Sequence, residues 1–340
     1  MGKILKVTMQ DVAKALGLSQ STVSLALRNN KKIPEPTRKR IIAKAEEMGY
    51  KSGAQISTLM ARIRSSRPLA QNATIAAITH HQADSLRNSK PVFKANWKGA
   101  SQRAKELGYQ LEEFKLDAQG MTPARLSEIL RSRNIEGLLI FPFIPEKSLS
   151  IEWKQFSAVT IGYNLTFPQL NRVTADRYGN IRLALAQTKS RGYKRPGIVI
   201  EHSQNERTQR RWVSPFYGYG MDQLSDPLNS VHVVKDQREA TFKEWIERYQ
   251  PDVILGCGLL PVKEWLDGLG LKVPQDIGLV SVSDAFFFTQ KCSRVCENNV
   301  KVGSTAIDFL VAQLHRNEYG IPKCRTETFI PGKWIEHQTL

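Results

Sequence analysis

The sequence predicts a small all-α head followed by an α/β body of two lobes, each a doubly wound parallel sheet. Three observations carry that expectation. Residues 1–50 place their apolar side chains at helical spacing only. From Thr74 onward, short apolar runs alternate with amphipathic stretches, the pattern of parallel strands covered by helices on both faces. The chain has 340 residues, enough for two or three domains with cores of their own.

In the head, Met9, Val12, Ala13 and Leu16 share one helical face, and Val23, Ala26 and Leu27 share another. Ser19 is a good cap for the second of these helices. A third helix runs through "IPEPTRKRIIAKAEEMGY". Pro36 suits its first turn, Ile41, Ala45 and Met48 line one face, and Gly49 ends it. Residues 51–72 form a polar, basic connector, so the expected division is 1–50 head, 51–72 linker and 73–340 two-lobed body.

Eight strands are expected in the body, at 74–79, 109–116, 137–141, 158–162, 197–200, 231–234, 252–256 and 277–282. Helices are expected near 93–107, 123–133, 178–191, 207–224, 239–249, 260–268 and 300–316. The unit helix–Gly–Tyr–strand occurs twice, in "ELGYQLEEF" and "SRGYKRPGIVI", as a βα repeat requires. The strands divide between two lobes, with the chain crossing near 162–175 and again near 285–300. A ligand is expected between the lobes, at the carboxyl ends of the strands.

Charge directs attention to the head. The chain carries 49 Lys and Arg against 32 Asp and Glu, a net +17. Residues 1–67 hold 14 basic and 4 acidic residues, so most of the excess lies in one fifth of the chain. Such a segment suits a polyanion. The four cysteines, Cys257, Cys292, Cys296 and Cys324, have no companions at zinc spacing, although Cys292 and Cys296 would share a face if helical. Reduced thiols, no metal and no cofactor are expected. No apolar run has the length of a signal peptide or a membrane span, so a cytoplasmic protein without a membrane partner is expected. Nothing resembles a Gly-rich phosphate loop, G-x-S-x-G or H-E-x-x-H, which leaves an enzyme without a specific argument. A two-lobed sugar-transport protein would carry a signal peptide and no such head.

In "MQDVAKALGLSQSTVSLAL", small Ala13 permits close approach of two helices, and Gly17 permits the sharp turn. Gln20, Ser21, Thr22 and Ser24 are left facing outward. This is the pattern of a helix-turn-helix whose second helix enters the major groove. The same stretch resembles the lactose repressor (LacI/GalR) family of bacterial transcription regulators. "VTADRYGNIRLALAQTKSRGYKRPGIVI", "VPQDIGLVSVSD" and "VGSTAIDFLVAQL" extend the resemblance in the right order along almost the whole chain. The resemblance implies a head joined to a periplasmic-binding-protein-like body and a homodimer reading a palindromic operator in double-stranded DNA. It also implies a small-molecule effector, most commonly a sugar or sugar derivative; a nucleoside or other polar metabolite is the alternative.

Carried over residue by residue, the resemblance implies that Gln20, Ser21 and Leu25 reach base edges. Leu25 stands where the family often has a polar or basic residue, so it would meet a thymine methyl, or else pack against the third helix. Ser19, Thr22 and Ser24 would hold phosphates. Leu59 falls at the leucine that wedges into the minor groove. There the connector departs from the family, with Ser52-Gly53 and Ile56-Ser57 in place of the usual pairs. Ile56, Leu59, Met60 and Ile63 still permit a hinge helix; a loose linker is the alternative. For the effector, the resemblance implies His80 and His81, Asp176, Arg210 or Arg211 beside Trp212, and Ser283, Asp284, Glu297 and Asn298. Asp176 has a second reading as a helix cap, the two histidines as loop residues and Trp212 as core. Cys257-Gly258 replaces the family's usual Asn-Asp pair. The C-terminus has no leucine heptad, so no tetramerising coiled coil is expected.

Overall fold

The computed structural model describes residues 7–27, 32–48, 73–80, 91–116, 118, 120–144, 146–224, 226–235, 238–257, 260–284 and 291–340. The head contains α1 (Met9–Leu16), α2 (Gln20–Leu27) and α3 (Glu35–Glu47). Thr8 caps α1 in a reciprocal box with Asp11: its hydroxyl accepts from Asp11 N, and its own N–H donates to the Asp11 carboxylate. Gly17 ends α1 at φ +66°, a conformation that costs glycine nothing. Val12, Ala13, Val23, Ala26, Ile41 and Ala45 are buried in the small core, flanked by Leu16, Leu18, Leu27 and Met48.

The body holds twelve described strands in two six-stranded sheets. In the first lobe, β1 (Ala73–Thr79), β2 (Tyr109–Lys115), β3 (Gly137–Ile140), β4 (Ser157–Ile161), β5 (Asn171–Ala175) and β11 (Glu327–Ile330) are ordered β11-β5-β4-β3-β1-β2, all parallel. The second lobe contains β6 (Pro196–Glu201), β7 (Val231–Val234), β8 (Val253–Gly256), β9 (Gly278–Ser281), β10 (Ser293–Cys296) and β12 (Lys333–Ile335). Their order is β12-β10-β9-β8-β6-β7, parallel except for β12, which runs antiparallel on β10. Each sheet carries an apolar core on both faces, as a covered parallel sheet must.

The helices of the body are α4 (Pro91–Glu106), α5 (Pro123–Ser132), α6 (Arg177–Ser190), α7 (His202–Arg207), α8 (Ser214–Gln223), α9 (Arg238–Tyr249), α10 (Leu260–Gly268) and α11 (Asn299–Arg316). α4 and α11 cross at very close range: a Cβ on Gly99 would lie 2.7 Å from the Val300 carbonyl carbon, and one on Gly303 would lie 2.9 Å from Ala100 N.

Several expectations are corrected. Four strands, β5, β10, β11 and β12, add to the eight expected. β5 escapes the apolar pattern because "NRVTA" is buried throughout yet half polar. Its polar groups are matched inside: Asn171 Oδ1 accepts from Thr326 N, and Arg172 pairs with Glu327 at 2.9 Å. The chain crosses three times rather than twice: after β5, between β10 and α11, and between β11 and β12. The helix expected over 207–224 breaks into α7 and α8, because Gln209 and Arg210 take left-handed backbone at φ +55° and +56°. Cys292 and Cys296 flank and end a strand, not a helix. No helix among the described residues is long and apolar enough to cross a membrane.

Candidate functional site

Two surfaces follow from this fold: the outer face of α2 and the cleft between the lobes. On α2, packing of Val23 and Ala26 inward turns Gln20 and Ser21 to solvent, with Ser19 exposed just before the helix. Ser19 Oγ accepts from Thr22 N at 3.1 Å, which makes it the cap, and it lies 2.8 Å from the hydroxyls of both Ser21 and Thr22. Thr22, Ser24 and Leu25 are half-buried. Leu25 does not join the head cluster, whereas Leu27 does. Leu59, Ile56, Met60 and Ile63 lie outside the described residues. Lys39 and Lys44 pair with Glu35 and Glu47 along α3, so part of the basic charge is locally answered.

The cleft encloses about 390 Å³, a size suited to a small polar ligand. The first lobe contributes Phe93 and Asn96 of α4, Glu146 after β3, Asn164 after β4, and Thr174 of β5. The second contributes Arg177 at the start of α6, Glu201, Gln204 and Arg207 around α7, Trp212, Cys257 after β8, Ser283 after β9 and Glu297 after β10. Asn299 and Val302 of α11 complete the wall. These are the carboxyl ends of strands and the starts of the helices that follow them, where a doubly wound fold gathers polar groups. Two ion pairs join the lobes beside the cleft: Arg207 to Glu146 at 2.5 Å, and Arg211 to Glu327 at 3.3 Å.

Of the residues implied for the effector, Trp212, Ser283 and Glu297 line this cleft. Glu297 is 3% exposed, and its Oε2 accepts from Ser283 Oγ at 2.8 Å and Asp284 N at 3.2 Å. Burial raises its carboxyl above the usual carboxylate range, against an opposing pull from Arg177. Burial likewise pushes the Cys257 thiol up to about 12, which keeps it a neutral wall residue.

The other implied residues stand apart from the wall. Asp176 caps α6 by accepting from Gly179 N at 2.9 Å, its alternative reading. Arg210 is exposed and pairs with Glu206 one turn back. Arg211 turns to Glu327, with its guanidinium carbon 4.8 Å from the Phe329 ring centroid. Asp284 accepts from Glu297 N at 2.7 Å and so sits behind the wall. Asn298, in left-handed backbone, donates from Nδ2 to Pro331 O. His80 lies beside Phe143 and 3.2 Å from Lys147 Nζ. His81 lies outside the described residues, as does Gly258.

Sequence reasoning missed Arg177, Arg207, Asn96, Asn164 and Glu146. Arg177 is one residue from Asp176, and Arg207 is four before Arg211; the left-handed break at 209–210 rotates the segment, so spacing along an unbroken helix points to the wrong arginine. Among the described residues no group of His, Cys, Asp and Glu is arranged to hold a metal.

Comparison with known proteins bears on the head and on the fold. Residues 8–52 match the family described as "Bacterial regulatory proteins, lacI family". The HTH-type transcriptional regulator KdgR of Bacillus subtilis is 22% identical over 331 residues, covering 93% of each chain. The HTH-type transcriptional regulator GalR of Streptococcus thermophilus is 26% identical over 330 residues, covering 90% of this chain and 92% of the relative. Among solved structures, the complex of the transcriptional regulator CelR with cellobiose superposes with a TM-score of 0.56 at 16% identity, covering 98% and 99% of the two chains. The lac repressor dimer bound to operator and the anti-inducer ONPF gives 0.56 at 16% identity, covering 98% of each. These last two establish likeness of fold. The head thus matches the lacI family of bacterial regulatory proteins over residues 8–52, and relatives named as HTH-type regulators align with about nine-tenths of the chain at 22% and 26% identity.

Proposed function

We propose that the protein is a sequence-specific DNA-binding transcription regulator, a repressor, whose operator affinity is set by a small molecule held between the lobes. The head of residues 1–50 reads DNA, residues 51–72 connect it, and residues 73–340 bind effector and dimerise. The observation that carries this reading is the outer face of α2: a row of Gln20, Ser21 and Ser19 presented to solvent by a head whose three helices bury little else. Hydroxyls at that helix start suit phosphates, and Gln20 suits adenine, while Leu25, free of the head cluster, suits a thymine methyl. One such head makes few contacts, so two copies on a palindrome with half-sites about 34 Å apart supply specificity. Relatives named as HTH-type regulators support the same role.

The cleft offers both donors and acceptors beside Trp212 and Phe93, as a sugar or sugar derivative requires. The effector acts by favouring one closure of the lobes and so one placement of the paired heads. Selection of random duplexes against the full chain at fixed moderate salt tests the reading. A palindromic consensus with a defined centre is the expected result. Binding without sequence preference, and with a steep salt dependence, would reduce the +17 charge to generic attraction for phosphate and overturn it.

A further inference from the structure

We infer that the cleft is built for a small polyhydroxylated anion, with its carboxylate or phosphate against Arg177 and its hydroxyls against Glu297 and Asn96. The inference rests on reading the cleft as the effector site and names the chemistry of its ligand. Its basis is that the cleft has two unlike poles, Arg177 and Glu297, that act on each other through charge while neither is held in an ion pair by the protein.

Arg177 forms the first pole. It is half-buried in the wall at the first residue of α6, and no carboxylate among the described residues pairs with it. Its Nη1 donates to Thr174 Oγ1 at 2.8 Å, and its Nε is buried without a partner. The guanidinium carbon stands 5.4 Å from the Trp212 ring centroid and 5.5 Å from that of Tyr163, so aromatic faces hold it in place without neutralising it. Trp212 is 3% exposed, and its Nε1 is also buried without an acceptor. A planar guanidinium next to a second donor is the arrangement that takes a carboxylate or phosphate through paired hydrogen bonds. Its position at the start of α6 adds the positive end of that helix.

Glu297 and Asn96 form the second pole. Ser283 and Asp284 both donate to Oε2 of the Glu297 carboxylate, and Arg177 draws on it by charge without forming an ion pair with it. Oε1 is left as an acceptor on a residue 3% exposed. Asn96, 1% exposed on α4, has an unpartnered Oδ1. These atoms call for hydrogen-bond donors, which hydroxyl groups supply. By contrast, Arg207 in the same wall is already neutralised by Glu146, so it does not compete for the anion. Buried polar groups without partners are costly, and a ligand that answers both poles recovers that cost on binding.

The test uses the full chain and matched probes: D-gluconate, D-glucuronate and D-glucose 6-phosphate against D-glucose and D-glucitol. Thermal unfolding and calorimetry read binding. At least one anion raises the unfolding midpoint, its neutral counterpart fails to match it, and the carboxylate and phosphate arms identify which head group fits. Arg177→Gln weakens that anion's affinity at least tenfold, Arg177→Lys weakens it less, and Arg210→Gln, on the surface away from the cleft, leaves it unchanged. The inference is overturned if no anion binds, if the neutral sugar binds as tightly, or if Arg177→Gln and Arg177→Lys both bind like the parent. The regulator reading fails separately: an anion that binds through Arg177 yet leaves affinity for the selected duplex unchanged defeats that reading alone.

Discussion

Gly99 and Gly303 allow α4 and α11 to touch, and replacing Gly99 with alanine measures how much the cleft depends on that contact. The new Cβ would lie 2.7 Å from the Val300 carbonyl carbon and closer still to its oxygen, where ordinary contact begins at 3.4 Å. The obstacle is backbone on the facing helix, so no side-chain rotation relieves it. The helices must part by about 1 Å, and overpacking of this kind costs about 3 kcal/mol when the surroundings cannot yield. Alanine's better helix propensity returns about 1 kcal/mol. The net loss is about 2 kcal/mol. Gly218→Ala is the control: Gly218 lies inside α8 with nothing within 4 Å of an added Cβ, so only the propensity gain applies and the sign reverses. Urea denaturation followed by far-UV circular dichroism reads both variants. Gly99→Ala lowers the midpoint and Gly218→Ala leaves it unchanged or raises it. Because Asn96 of α4 and Asn299 of α11 sit in the cleft wall beside this crossing, Gly99→Ala also weakens ligand binding. A Gly99→Ala chain as stable as its parent would refute the claim that backbone contact fixes these helices.

Other outcomes follow from burial and charge. Val23→Ala removes about two buried methylene equivalents from a six-residue core, a loss of about 2 kcal/mol with the cavity included; the head unfolds earlier and duplex affinity falls, while calorimetry finds the body's transition unmoved. Glu297→Gln deletes a carboxyl whose pKa burial raises above the ordinary 4.5 in the folded chain. The ionised form is therefore penalised by folding, and the variant outstrips the parent in stability as pH rises through the raised pKa, with the difference gone below about 4.5. His232 is 8% exposed, stacked on Trp245 with ring centroids 5.4 Å apart, and burial lowers its pKa below 6.5. Its contribution to stability is present above pH 6.5 and lost as pH falls through the depressed value. Unfolding midpoints measured between pH 7 and 5 should therefore drop in the parent and flatten in His232→Leu.

The head was legible in the sequence nearly residue by residue, because local rules decide it: capping at Ser19, a left-handed Gly17 and apolar spacing that three short helices cannot satisfy otherwise. The central strands of the body were legible for a similar reason, since strands covered on both faces read as continuous apolar runs. β5 and β11 were not, because their polar residues answer one another across strands 155 positions apart in sequence, as Arg172 and Glu327 do. The cleft was half legible. Ser283 follows a strand end that the pattern marks, and Trp212 and Glu297 were reached only through the family resemblance, whereas Arg177 and Arg207 depend on a helix start and on the left-handed residues Gln209 and Arg210, which no periodicity reveals.

The central claim is that the head and the cleft are coupled. The most direct test is the affinity of the most stabilising compound of the probe panel for the full chain, measured with and without saturating selected duplex. The account predicts that the two affinities differ by a factor in the range of about 5 to 150, and that the compound changes duplex affinity by the same factor, as linkage between two sites requires. Equal ligand affinities in the presence and absence of duplex would contradict it.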